Sequence, residues 1–213
     1  MDRRPLTTRD MRWAKAVASF LARNRIPPNL ISVFSVVAAG VACFAFLHSA
    51  SSDGAERVVS LVVAAAFIQL RLLCNMLDGM VAIEGKMGSK SGDIFNELPD
   101  RIADPLIIVP VGYAITTLPF ALEAGWLAGL LAIMTAYVRL LGGSLGQQQS
   151  FMGPMAKPHR MATLTVAALV DAVAGWYEHR DVALLAALVL IILGTIVTIA
   201  RRTRRIVTAL ERR

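Results

Sequence analysis

The chain has 213 residues, 56% of them hydrophobic, and only 17% charged, yet 22 Lys and Arg against 15 Asp and Glu leave a formal charge of +7. A mean hydropathy of +0.59 is too apolar for an ordinary soluble domain. A nucleic-acid binder needs a soluble basic domain, and the sequence offers none. Excess basic residues at the ends of apolar segments instead predict a bilayer protein facing anionic lipid.

The first 25 residues are basic, without the long apolar core and small-residue cleavage site of a signal peptide. Within residues 7–25, Trp13, Val17, Phe20 and Leu21 recur at helical spacing, with Arg9, Arg12, Ser19 and Arg23 on the other side. This pattern predicts an amphipathic helix lying in the membrane interface. Pro27 and Pro28 end it and begin the turn into the bilayer. A bilayer-spanning helix takes about 20 mostly apolar residues. Hydropathy predicts six, at Asn29–Leu47, Val58–Val81, Ile102–Leu118, Gly125–Leu141, Met161–Trp176 and Val182–Ala200.

The expected fold is therefore an all-α integral membrane protein: six transmembrane helices over 29–200, an interfacial helix before them, and a basic tail over 201–213. No repeat or linker divides it, so 1–213 reads as one domain. Cytoplasmic termini would place 18 of the 22 Lys and Arg on the inside, leaving Arg57 and Arg180 outside and Arg71 and Arg139 within spans. Cys43 and Cys74 fall in apolar runs and read as packing residues. His48 and His179 fall in predicted outer loops.

Chemistry concentrates between Asn75 and Asp104, in the stretch NMLDGMVAIEGKMGSKSGDIFNELPDRIAD. Asn75 and Asp78, three apart, share a helix face; Asn96, Asp100 and Asp104, at four-residue intervals, share another. Asp93 and Glu97 add acid nearby. Oxygen ligands of this kind suit Mg²⁺ or Mn²⁺. Such an ion neutralises a pyrophosphate, and a spare carboxylate accepts a proton from an attacking hydroxyl. Gly79, Ala82, Gly85, Gly88 and Gly92 keep side-chain bulk low beside it. The bland reading is an acidic loop between spans, but Gln69, Arg71, Asn75 and Asp78 crowd one end of an apolar segment, and intramembrane polar residues usually face a cavity.

After the fourth span, Lys157, His159 and Arg160 cluster where the fifth begins. They suit a phosphate or an anionic acceptor, or equally serve as positive flanks. Arg71, one turn before Asn75, reads as a structural ion pair or a pyrophosphate contact. Arg139 and Asp171 are further charges within spans, with no pairing fixed by sequence.

The order Asn75, Asp78, Gly79, Ala82, Ile83, Gly92, Asn96, Asp100 resembles the signature of the CDP-alcohol phosphatidyltransferases, D-x2-D-G-x2-A-R-x8-G-x3-D-x3-D, with every spacing kept. The segment from Pro27 to Ser32, PPNLIS, resembles the family's approach to its first span, and the six-span architecture agrees too. The resemblance implies a metal site at Asn75, Asp78, Asn96 and Asp100, with Asp100 the general base. It implies CDP contacts from Asp78, Gly79, Ala82 and Gly92, and Mg²⁺ or Mn²⁺ as cofactor. It further implies a CDP-diacylglycerol-like lipid as donor, an alcohol acceptor, CMP as product, a homodimer, and a bacterial inner membrane with the site on its cytoplasmic face. Three positions depart from the pattern. Asn75 and Asn96 replace acids and Ile83 replaces an arginine, so the site has two fewer negative charges; Glu97, Asp93 and Asp104 are the acids at hand to compensate. The competing expectations are a transporter using the acids as an ion path and a catalytically inactive homologue.

Overall fold

The computed structural model describes residues 11–87, 91–174 and 180–212, with the side chain of Asp93 left out. All regular structure among them is helical: α1 (Arg12–Arg23), α2 (Pro28–Ala50), α3 (Gly54–Glu84), α4 (Gly92–Ala114), α5 (Ala121–Ser144), α6 (Lys157–Ala174) and α7 (Val182–Glu211). Four of these, α2, α3, α5 and α7, are long and apolar enough to cross a membrane. In α4 the apolar half follows a polar, acid-bearing one, and three prolines, Pro99, Pro105 and Pro110, lie inside it. In α6 the described helical residues number 18, and they include Lys157, Arg160 and Asp171.

The helices run past the apolar stretches that announce them. Hydropathy starts the third span at Ile102, but α4 begins ten residues earlier at Gly92 and stops at Ala114. It ends the last span at Ala200, but α7 continues to Glu211, so the expected basic tail is mostly helix. Hydropathy measures where lipid is tolerated, whereas helix continues wherever nothing breaks it.

Helix α2 packs on α3 and α4, α4 on α5, α3 on α6, and α7 on α5 and α6; α3 and α4 approach each other only lightly. Small residues line the seams, as expected where lipid supplies no hydrophobic drive and close backbone approach must supply the packing. On α5, Gly125, Ala128, Gly129, Ala132 and Ala136 recur at three- and four-residue steps. A Cβ on Gly112 would lie 2.5 Å from the Ala121 carbonyl oxygen, and one on Gly125 3.0 Å from the Gly112 Cα. Gly112→Ala therefore forces α4 and α5 apart, with an expected loss of about 1–3 kcal/mol. Thermal unfolding in detergent checks this; an unchanged midpoint would show that the two helices have slack here.

The core between the ends is apolar. Ile68, Ile107, Ile108, Met161, Leu164 and Leu188 are fully buried across it. At one end, Arg57 donates to Asp171 Oδ2 (2.7 Å), Asp181 Oδ1 (2.6 Å) and the Ser49 carbonyl (2.8 Å). Asp181 Oδ2 in turn accepts from the Thr116 and Thr117 amides and the Thr117 hydroxyl. Arg57 is thus a buried residue of α3 rather than the outer-loop flank expected of it, and Asp171 pairs with Arg57 while Arg139 pairs with Glu97. His48, expected in a loop, lies in α2 beside Ser52 and Ser60. His179 lies outside the described residues.

Helix α1 docks on α3 through Ala14 and Ala18, both fully buried, and Ser19 donates to Glu84 at 2.7 Å. The larger apolar residues Trp13, Val17 and Phe20 face outward.

Candidate active site

Opposite the Arg57 cluster, four helices bring charged groups together. Helix α3 supplies Arg71, Asn75 and Asp78, α4 supplies Asp100 and Asp104, α6 supplies Lys157 and Arg160, and α2 supplies Ser32. Helices α3 and α4 touch only lightly, and long side chains join them at this site.

Fully buried Arg71 donates from one nitrogen to Asp100 Oδ1 (3.0 Å) and Asp104 Oδ1 (2.7 Å). Arg160 donates to Asp104 Oδ2 (2.7 Å) and to the Met155 carbonyl (2.9 Å). Asp104 is therefore clamped between two guanidiniums, each nearly or wholly buried. Lys157 donates to Asn75 Oδ1 (2.6 Å) and Asp100 Oδ2 (2.5 Å), and Asn75 Nδ2 donates to Asp100 Oδ1 (3.0 Å). Lys157 sits before the apolar stretch that begins at Met161. Burial, with Arg71 nearby, pushes its ammonium down to about 8, which still leaves it mostly charged at neutral pH.

Asp78 is buried, and its Oδ2 accepts from the Ser32 hydroxyl at 2.6 Å. Its Oδ1 is buried with no partner, as are Nε and Nη1 of Arg71. A buried carboxylate oxygen without a donor is costly unless a cation or ligand group completes it. Asp78, Asn75 and Asp100 carry two carboxylates and an amide oxygen, the kind of oxygen donors that would suit a hard divalent ion. Among the described residues, no three His, Cys, Asp or Glu side chains converge as a metal-holding group.

The remaining expected residues lie further out. Asn96 and His159 are exposed. Glu97 is taken up by Arg139 (2.7 Å) and Arg101, which pins α4 to α5. Gly79, Ala82 and Gly92 are half-buried, and Ile83, at the signature's arginine position, is 65% exposed. Sequence does not single out Ser32 as a site residue, although it lies within the PPNLIS segment. Nor does sequence announce a cavity of about 260 Å³ lined by Arg139, Arg202, Arg205, Gln147, Gln148 and Ser150. Its two α7 arginines fall in what sequence assigns to a tail, though their three-residue spacing marks one helix face. Arg202 is held by the Met152 and Thr135 carbonyls, and Arg139 lies over the Phe151 ring at 5.2 Å.

A helical membrane protein with acids, amides and guanidiniums gathered at one end of its bundle is built to handle a phosphorylated lipid. No family model matches the sequence. The archaetidylinositol phosphate synthase of Aeropyrum pernix is 32% identical over 161 residues, 75% of this chain and 76% of that one. The fold is shared with the Mycobacterium tuberculosis phosphatidylinositol phosphate synthase PgsA1. Its CDP-DAG-bound structure matches 92% of this chain and 94% of its own at a TM-score of 0.75 and 19% identity. Its manganese and citrate complex matches 92% and 89%, also at 0.75, with 18% identity. The chain belongs to the CDP-alcohol phosphatidyltransferase family. It is an enzyme that transfers a substituted phosphate group from a CDP-linked lipid to an alcohol and releases CMP.

Proposed function

We propose that this enzyme transfers a phosphatidyl group from CDP-diacylglycerol, or a closely similar CDP-linked lipid, to a phosphorylated polyol of the inositol phosphate kind. The observation that carries the acceptor class is the arginine-lined cavity beside the charged cluster, which suits a dianionic phosphate better than a neutral alcohol. The products named for the Aeropyrum relative and the mycobacterial structure, both inositol phosphate lipids, agree with it.

In this reading the whole chain is one membrane domain with six spans. Helices α4 and α6 join the four apolar ones, and α1 lies in the interface with Trp13, Val17 and Phe20 toward lipid. Both termini and the site lie on the cytoplasmic side of a bacterial inner membrane in this reading, which the basic bias supports. The enzyme works as a homodimer, as the family resemblance implies. A transport path is disfavoured because fully buried Ile68, Ile107, Ile108 and Leu164 fill the bundle between its two polar ends.

The donor's pyrophosphate lies against Asp78, Asn75 and Arg71, with the cytidine over the low-bulk surface of Gly79, Ala82 and Gly92. Asp78, Asn75 and Asp100 would hold a Mg²⁺ or Mn²⁺ ion, which when bound would neutralise the pyrophosphate and ease departure of CMP. Arg71 turns its two unpartnered nitrogens to the same anion. Asp100 takes the proton from the acceptor hydroxyl, whose oxygen then bonds to the lipid-side phosphorus. The bond from that phosphorus to the bridging oxygen breaks, and CMP carries the electron pair away. Arg205, with Arg139 and Arg202, holds the acceptor's own phosphate.

The test is Mn²⁺-dependent CMP release from CDP-diacylglycerol with a panel of alcohols. Inositol phosphate is expected to support it, and unphosphorylated inositol to do so far less. Arg205→Ala is expected to raise the acceptor KM about tenfold with kcat little changed, the loss of one charge-assisted contact. Equal rates with both alcohols would overturn the acceptor assignment, and no release with any alcohol would overturn the transferase reading of this site.

A further inference from the structure

The three arginines of the cavity differ in what already holds them. Arg202 donates to the carbonyls of Met152 and Thr135. Arg205 is exposed. Arg139 already holds an anion. Its Nη2 lies 2.7 Å from both carboxylate oxygens of Glu97, and its Nη1 donates to Gln149 Oε1 at 3.2 Å. The same guanidinium lies over the Phe151 ring, 5.2 Å from its centre. Glu97 reaches it from α4, whereas the cavity wall comes from α5, the segment after it and α7. A carboxylate from outside the wall therefore sits on a guanidinium that belongs to the wall.

That pairing is built for exchange. A carboxylate brings one negative charge and two oxygens; a phosphate monoester brings nearly two charges and three acceptor oxygens, and so competes well for a guanidinium. Neither side is stranded when Arg139 lets go. Glu97 keeps Arg101, one turn along α4, as a second charged partner. Arg139 keeps the Phe151 ring and Gln149, which hold it at the cavity. Leaving either charge half-buried and alone would be costly, and this arrangement avoids it. In the empty site the same contact keeps Arg139 satisfied and shields it from Arg101, its like-charged neighbour.

We infer that Glu97 is a resident stand-in for the acceptor's phosphate: it occupies Arg139 while the cavity is empty and yields to the phosphate when the acceptor binds. The inference rests on the acceptor reading proposed above and adds what sets the affinity there, the difference between a phosphate and a carboxylate on one guanidinium. It also assigns a way out. Transfer leaves the acceptor's own phosphate intact on the product, so the return of Glu97 to Arg139 competes that phosphate off. The brace between α4 and α5 opens once in each turnover.

The full chain in detergent is titrated with inositol phosphate by calorimetry. Glu97→Gln keeps the shape of the side chain without its charge, and is expected to bind about tenfold tighter than wild type, the size of one charge-assisted contact. A static brace predicts equal or weaker binding; that result would overturn this inference and leave the acceptor assignment standing. With Arg139→Gln in place, Glu97→Gln is expected to change nothing, because the competition is for Arg139. The same gain in that background would point to a long-range field and would also overturn the exchange. No binding of inositol phosphate to the wild type would overturn the acceptor assignment and this inference together. The wild type gives an independent reading: in a structure with inositol phosphate bound, Arg139 is expected on the phosphate and off Glu97, and an intact Arg139–Glu97 pair would refute the stand-in role whatever the variants do.

Discussion

Asp100→Asn is expected to lower CMP release by about 10²- to 10⁴-fold, the usual span for losing a positioned general base. The amide keeps the size of the side chain but has one acceptor oxygen where Arg71 and Lys157 use two; Lys157 still has Asn75 Oδ1 at 2.6 Å, so helical content and detergent-extracted yield should change little. Arg71 also retains Asp104, at 2.7 Å, as a charged partner. The measurement is CMP formed per enzyme at saturating CDP-diacylglycerol and acceptor, with circular dichroism as the folding control. A variant retaining more than about a tenth of the wild-type rate would fall short of the general-base range and remove Asp100 from that role. Asp104 is then the next carboxylate on the same face of α4.

Asp104→Ala is expected to act on the fold rather than on the chemistry. Its carboxylate is the shared partner of Arg71 and Arg160, whose side chains are 0% and 3% exposed. Removing it strands two guanidiniums in the bundle. Breaking a buried ion pair by deleting one member costs about 3–5 kcal/mol. That corresponds to a fall in the unfolding midpoint on the order of 10 °C for a chain of this size. Thermal unfolding of the detergent-solubilised protein reads it directly. A midpoint within about 2 °C of wild type would mean the guanidiniums find other partners, because the expected loss is several times larger.

The sequence shows these residues better than it shows their partners. Spacing alone places Asn75 and Asp78 on one helix face and Asp100 and Asp104 on another, because helical periodicity is local. It also locates the apolar segments, though not the full helices: Gly92 to Arg101 and Arg201 to Glu211 are helical without being apolar. Pairing depends instead on how helices cross. Lys157 meets Asn75 across 82 residues, and Arg57 meets Asp181 across 124. No periodicity encodes either contact. Arg57 is the plainest case. Sequence assigns it to a loop because it lies just outside the apolar run, but α3 begins three residues before it and turns it inward. Asn96 shows the reverse, a residue in perfect register with the signature whose side chain the helix turns to the outside.

The length of α7 has a consequence for how two unlike substrates meet. Thirty residues of helix extend about 45 Å, against a hydrocarbon layer of about 30 Å, so roughly a third of the rod stands clear of the oil. Arg202 and Arg205 ride on that protruding third. In the proposed reading, an acceptor held by Arg202 and Arg205 reaches the site from the aqueous side while the lipid donor stays in the oil, so the two reactants meet at the boundary between phases.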